Sequence, residues 1–171
     1  MLPKVGKAYK LTNDPDQRAI EGTSSDAVYA FTVAWERPEA FRKVISCIGS
    51  YTSIGYRPAR DDHPIVPGGD LYPTLIRRSP TKPISIFFQD GSNDLDNRFG
   101  NWFLANQQMV AALNYANAQA GRLSRRRGGP AREDNGARYR INHAWTDGEH
   151  SDAHGGAMLP DILRWLWKSE E

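Results

Sequence analysis

Arg18-Ala19-Ile20-Glu21-Gly22-Thr23-Ser24-Ser25-Asp26 runs directly into Ala27-Val28-Tyr29-Ala30-Phe31-Thr32-Val33-Ala34-Trp35. The first stretch reads as a short strand closed by a Gly-x-Ser turn. The second carries Val28, Phe31, Ala34 and Trp35 at spacings of three and four, with small or apolar residues between them, and reads as a helix buried on most sides. Strand, tight turn and helix in direct succession is the sequence form of a nucleophile elbow, Gly-x-Ser-x-Gly. In that motif a serine hydroxyl projects from the end of the sheet, and a helix N-terminus lies beneath any developing negative charge. The spacing selects Ser24, with Gly22 two residues before it. Asp26 stands where the full motif has its second glycine.

Working outward, Val5, Ala8, Tyr9 and Leu11 predict a weakly amphipathic helix over 2–11, closed by Thr12-Asn13-Asp14-Pro15. Beyond the elbow helix, residues 44–51 form an apolar run ending in Gly49 and Ser50, which predicts a buried strand of a parallel sheet. Residues 52–81 hold Pro58, Pro64, Pro67, Pro73 and Pro80, and predict a long loop with one short helix over 71–78. Residues 83–91 are the strongest strand. A polar turn follows, then a helix over 101–117 carrying Trp102, Leu104, Met109, Val110 and Leu113. Residues 119–135, with Arg122, Arg125, Arg126, Arg127 and Arg132 among Gly and Pro, read as an exposed excursion. Residues 137–145 alternate as an edge strand does, and 157–168 place Met158, Ile162, Trp165 and Leu166 on one helical face. This order predicts an α/β fold with a parallel sheet and flanking helices. No repeat or boundary divides residues 1–171, which read as a single domain.

The bulk properties narrow the function. A length of 171 residues is enough to bury one core, and 39% hydrophobic and 25% charged residues are ordinary for a globular chain. A formal net charge of +2 argues against a dedicated nucleic-acid or membrane-surface protein. Cys47 is the only cysteine, which excludes an intrachain disulfide and a cysteine-based metal site. No apolar run approaches the ~20 residues of a spanning helix, and Met1-Leu2-Pro3-Lys4-Val5-Gly6 does not begin a signal peptide. The chain as written is therefore expected in the cytoplasm.

A serine hydroxyl needs a base to take its proton, and the base needs a third group to orient it. Asp94 follows the strongest strand and His150 follows the last one, giving the order serine, acid, histidine of α/β hydrolases. All three lie just beyond the C-terminal ends of strands. Asp90 and Asp96 compete as the acid, and His143 and His154 compete as the base. Asp94 has the alternative of capping the helix after it. His150 and His154 have a helical metal-ligand spacing, but Gly148, Gly155 and Gly156 surround them and no Glu follows the first, so no metal is expected. His63 reads as a solvated loop side chain. The arginine-rich stretch has an aromatic neighbour only at Tyr139, thin support for nucleic acid.

Several blocks together resemble one family. They are Gly22-Thr23-Ser24-Ser25 with Ala30-Phe31-Thr32-Val33-Ala34-Trp35-Glu36-Arg37-Pro38, then Gln89-Asp90-Gly91-Ser92-Asn93-Asp94-Leu95-Asp96-Asn97, then Asn101-Trp102 and Gln107-Gln108-Met109. Asp147-Gly148-Glu149-His150, His154-Gly155-Gly156-Ala157 and Leu163-Arg164-Trp165-Leu166-Trp167 complete the set. Over nearly the whole chain they resemble the esterases related to esterase D and enterochelin esterase. The resemblance implies the C-terminal half of an α/β-hydrolase fold, with Ser24 as nucleophile, Asp94 as acid, His150 as base and the Ser25 amide as one oxyanion donor. It implies a small-molecule ester as partner and neither a metal nor an organic cofactor. Full-length relatives include secreted proteins. In the family further strands precede the elbow, and the loop after the third supplies the second oxyanion donor. An N-terminally incomplete sheet leaves the elbow strand as an open edge, which makes a homo-oligomer through that edge, or a catalytically weak interaction module, the alternative expectation.

Overall fold

The computed structural model describes residues 2–126 and 136–168. Its elements in chain order are α1 (Leu2–Val5), a 3₁₀ turn (Pro15–Gln17), β1 (Ala19–Thr23), α2 (Ser25–Glu36), β2 (Lys43–Cys47) and α3 (Leu71–Arg78). They continue with β3 (Ser85–Gly91), β4 (Asp96–Asn97), β5 (Gly100–Asn101), α4 (Trp102–Arg126), β6 (Arg140–Thr146) and α5 (Asp152–Trp167). Four strands form a parallel sheet in the order β1-β2-β3-β6. Thr23, Cys47, Gln89 and Ala144 lie on one line across it; β1 and β2 end there, and β3 and β6 continue two residues further, to Gly91 and Thr146. β4 and β5 make a separate antiparallel pair.

Side-chain alternation divides the core between the two faces of the sheet. Val44, Ile86 and Phe88 pack with Phe31, Ala34 and Trp35 of α2, Ile76 of α3 and Met109 and Leu113 of α4. On the other face, Ile45, Cys47 and Phe87 pack against Ile162 and Leu166 of α5. A strand buried on both faces must be apolar at successive positions, which is why Val44-Ile45 and Ile86-Phe87-Phe88 read as continuous runs. Among the described residues β6 has a partner strand on one side only, and its burial is partial, which accounts for its alternating sequence.

Four expectations are corrected. The helix placed at 2–11 closes after one turn. Val5, Tyr9 and Leu11 are exposed, so burial does not support a longer helix. β2 stops at Cys47, because Ile48 adopts a left-handed backbone with φ 43° that ends strand geometry before Ser50. α4 continues to Arg126, so Gln119, Arg122, Arg125 and Arg126 belong to a helix and not to an irregular excursion. The rest of that excursion, with Arg127 and Arg132, lies outside the described residues. α5 begins at Asp152, five residues earlier than expected, with the Ser151 side chain accepting from the Ala153 amide as N-cap. Gly155 lies within this helix. A Cβ on it would lie 2.6 Å from Cys47 Sγ, so its bareness lets α5 approach β2.

Candidate active site

The turn after β1 is tight. Ser24 has φ 57° and ψ −119°, and it caps α2, whose first residue is Ser25. Such a backbone costs ~1–3 kcal/mol for a non-glycine residue and persists only where its surroundings enforce it. The Ser24 amide donates to Cys47 O at 2.9 Å, and Ser24 O accepts from the Ser50 amide at 3.0 Å. The first amides of α2, beginning with that of Ser25, have no acceptor within the helix. Asp26 is exposed in the first helical turn, where its charge complements the helix dipole.

Asp94 and His150 are held by two turns laced together. After β3, the Ser92 amide donates to Thr146 O at 2.9 Å and the Asn93 amide to Gly148 O at 3.2 Å. The Asn93 side chain donates to Asp147 O at 2.6 Å. Gly91 and Gly148 meet so closely that a Cβ on Gly91 would sit 2.0 Å from Gly148 O. Residues following β3 and β6 are thereby brought back over the top of the sheet.

The structure brings Ser24, His150 and Asp94 together. His150 Nε2 lies 3.0 Å from Ser24 Oγ, and His150 Nδ1 lies 2.5 Å from Asp94 Oδ1. An Nδ1 facing a carboxylate carries the ring proton, which leaves Nε2 to accept from the serine hydroxyl. Asp94 Oδ1 also accepts from the Leu95 amide at 2.5 Å, and the Asp94 side chain is fully buried. The Trp102 indole meets the His150 ring edge-on at 6.0 Å and covers one side of it.

The other acids and histidines fall elsewhere. Asp96 is exposed on β4. Asp90 is buried, with Oδ1 accepting from the Gly91 amide at 2.7 Å and Oδ2 from Asn106 Nδ2 at 2.6 Å. Burial, and then the Asp94 carboxyl beside it, push Asp90 up to about 8. The fold thus favours the protonated form of Asp90. His143 is exposed on β6 against Trp145. His154 packs on Gly148, where a Cβ would meet its Nε2 at 2.7 Å. His63 lies in the 52–81 loop with Nδ1 3.0 Å from Pro64 O. Among the described residues, no group of three or more His, Cys, Asp or Glu side chains is placed to hold a metal ion. No helix among them is long and apolar enough to cross a membrane.

Sequence reasoning missed Ser50 and Trp102. Ser50 Oγ lies 3.1 Å from Ser24 Oγ and accepts from Trp102 Nε1 at 3.0 Å. Reading 44–51 as one unbroken strand hid the bend at Ile48 that puts Ser50 there. A Gly-Ser pair closing an apolar run was the available signal.

The fold is that of the α/β hydrolases, as solved structures similar to the chain show. An enterochelin esterase from Shigella flexneri matches with a TM-score of 0.66 at 20% identity, over 98% of this chain and 34% of its own. A ferulic acid esterase matches with a TM-score of 0.63 at 17% identity, over 96% of this chain and 56% of its own. The fluorophosphonate-binding serine hydrolase F of Staphylococcus aureus matches with a TM-score of 0.61 at 13% identity, over 98% and 61%. The chain therefore spans between about a third and three-fifths of the length of these structures. No protein-family model and no curated protein matches it.

Proposed function

We propose that this chain, read as a single α/β-hydrolase-like domain, is a serine-dependent carboxylic ester hydrolase working through an acyl-enzyme. The observation that carries the reading is the unbroken hydrogen-bond run from Ser24 Oγ through His150 to Asp94, starting at a strained residue at the head of a helix. Esterases and serine hydrolases among the similar structures support it.

In this reading Ser24 Oγ attacks the ester carbonyl carbon as His150 Nε2 takes its proton. The oxyanion of the tetrahedral intermediate is met by the Ser25 amide at the N-terminus of α2. Collapse breaks the bond to the alcohol, and His150 returns the proton to the departing oxygen. Water then attacks the acyl carbonyl, His150 accepts the water proton, and Ser24 leaves as its hydroxyl. Asp94 fixes the His150 tautomer and stabilises the imidazolium throughout. The partner is a small-molecule ester, and the chemistry needs neither metal nor organic cofactor.

A second reading has one observation in its favour. Among the described residues β1 is paired only with β2, which leaves its other edge without a strand in this sheet, and Tyr29 of α2 is exposed. The chain is then a weakly active or inactive module that self-associates through that edge. One set of measurements separates the two. The esterase reading expects a fluorophosphonate probe to label the chain, and expects Ser24→Ala to abolish both labelling and p-nitrophenyl acetate hydrolysis. An unlabelled, inactive oligomer in sedimentation supports the module, and undiminished turnover by S24A would sink the esterase.

A further inference from the structure

Ser24 Oγ has two hydrogen-bonding neighbours, and the Ser-His-Asp arrangement uses only one of them. The second is Ser50, and the backbone goes out of its way to put it there. Directly after β2, Ile48 takes φ 43°, a left-handed conformation that a β-branched residue rarely adopts, while its amide still donates to Gln89 O at 2.7 Å. The bend turns Gly49 and Ser50 back toward the elbow. Asn106 Nδ2 holds Gly49 O at 2.8 Å, and the Ser50 amide holds Ser24 O at 3.0 Å. Ser50 and Trp102 are both buried.

The direction of each hydrogen bond follows from the groups at the two ends. An indole N–H can only donate, so Ser50 Oγ accepts from Trp102 Nε1 at 3.0 Å. His150 Nε2 accepts, because Nδ1 faces the Asp94 carboxylate, so the Ser24 hydroxyl proton points to His150. Ser50 is then left with one proton, and Ser24 Oγ, at 3.1 Å, is the acceptor within reach. The chain runs Trp102 to Ser50 to Ser24 to His150, with one proton in each link.

We propose that Ser50 is a further catalytic residue, donating a hydrogen bond to the nucleophilic oxygen of Ser24, and that Trp102 is the positioning residue that fixes this direction. The proposal rests on the esterase reading of Ser24. As His150 removes the Ser24 proton, negative charge grows on Oγ. A donor aimed at that oxygen, itself polarised by the indole, stabilises the charge where bulk water would otherwise have to reorganise. Ser24 Oγ keeps its remaining lone pair for the carbonyl carbon. When the acyl-enzyme breaks down, the same Ser50 proton meets Oγ as it leaves. No atom of Ser50 or Trp102 is consumed, and the proton that moves remains the one carried by His150.

The test compares wild type, Ser50→Ala, Trp102→Phe and the double variant. Sites are titrated with a fluorophosphonate, and kcat and KM are then measured on p-nitrophenyl acetate. Expected are a fall in kcat of roughly 10- to 100-fold per titrated site for S50A, with KM within about twofold, and a slower labelling rate to match. W102F keeps an aromatic ring against His150 and removes the N–H that Ser50 accepts, so it is expected to slow the reaction less than S50A in the wild-type background and to add little in the S50A background. Equal kcat and labelling rate in S50A and wild type overturn the role of Ser50. Additive losses in the double variant overturn the relay through Trp102. Should S50A lose its cooperative melt, W102F carries the test by the same kcat against KM split. Wild type that is neither labelled nor active, or an S24A variant that remains active, identifies the failure as that of the Ser24 reading, and the Ser50 role falls with it.

Discussion

Gly22 and Asp26 are in backbone contact: a Cβ built on Gly22 would stand 2.1 Å from the Asp26 carbonyl oxygen and 2.5 Å from the Ala27 amide nitrogen. Strand and helix therefore meet across the elbow with no room for a methyl group, and neither side of the contact is a side chain that can swing away. The Asp26 side chain plays no part in this, since it is exposed. Of the two glycines in the full elbow motif, the first is the one this fold depends on.

Gly22→Ala is accordingly expected to destabilise the fold by about 1–3 kcal/mol or more, lowering Tm by ~2–4 °C per kcal/mol in a chain of this size. Asp26→Gly should change Tm far less. Thermal melts of the two variants side by side check this, and an unchanged G22A melt contradicts the contact.

Asp94→Asn keeps the shape of the acid but removes the charge facing His150 Nδ1. By analogy with the same change in other triads, kcat should fall by about 10³- to 10⁴-fold with KM little altered. Asp96→Asn, on the exposed β4, should leave both constants near wild type. Steady-state kinetics on one chromogenic ester distinguish them, and the reverse ranking would reassign the acid.

Asp90 should make stability depend on pH in a particular direction. Its folded-state value is raised, to about 8, above an ordinary carboxyl near 3.8, because burial and the neighbouring Asp94 disfavour its charge. Between these limits the folded chain keeps a proton that the unfolded chain has released, so this contribution is whole below about pH 4 and is lost as pH rises toward 8. Asp90→Asn removes the titration. The Tm difference between pH 5 and pH 8 should shrink in D90N relative to wild type. Parallel Tm profiles would falsify the assignment.

Cys47 is almost fully buried, and burial pushes its thiol up to about 12, with Glu21 and Asp90 contributing. It packs where Gly155 brings α5 onto the sheet. Alkylation by iodoacetamide at pH 8 should be slow in the folded chain and become rapid in denaturant. Fast labelling of the native protein would place the thiol elsewhere.

Much of this arrangement was legible in the sequence because it depends on local pattern. The runs around Val44 and Ile86 announce strands buried on both faces, and the periodic helix after Gly22-Thr23-Ser24 announces the elbow. α3 falls where one helix was expected within the long loop. The upward shift of Asp90 was not legible, because it arises from burial and from the neighbouring Asp94 carboxyl, which only the folded chain supplies. Ser50 escaped for a related reason: its position depends on one left-handed residue, Ile48, which no propensity favours there. The role of Gly155 was not legible either, because its lack of a side chain serves helix-to-sheet packing at Cys47, a contact between distant parts of the chain. Which of Asp90, Asp94 and Asp96 faces His150 was a question of turn geometry, and the lacing of Ser92 and Asn93 to residues 146–148 decides that placement.

Ser24 follows one outer strand of the sheet and His150 follows the other, with two strands between them. At ~4.8 Å per strand their parent strands stand about 14 Å apart, yet the side chains are 3.0 Å from each other. The rim that holds the chemistry is thus fastened from edge to edge by the reacting groups themselves. Cutting that link with S24A or His150→Ala should leave β1 and β6 freer to fray, and amide hydrogen exchange in these two strands is where the loosening would be seen.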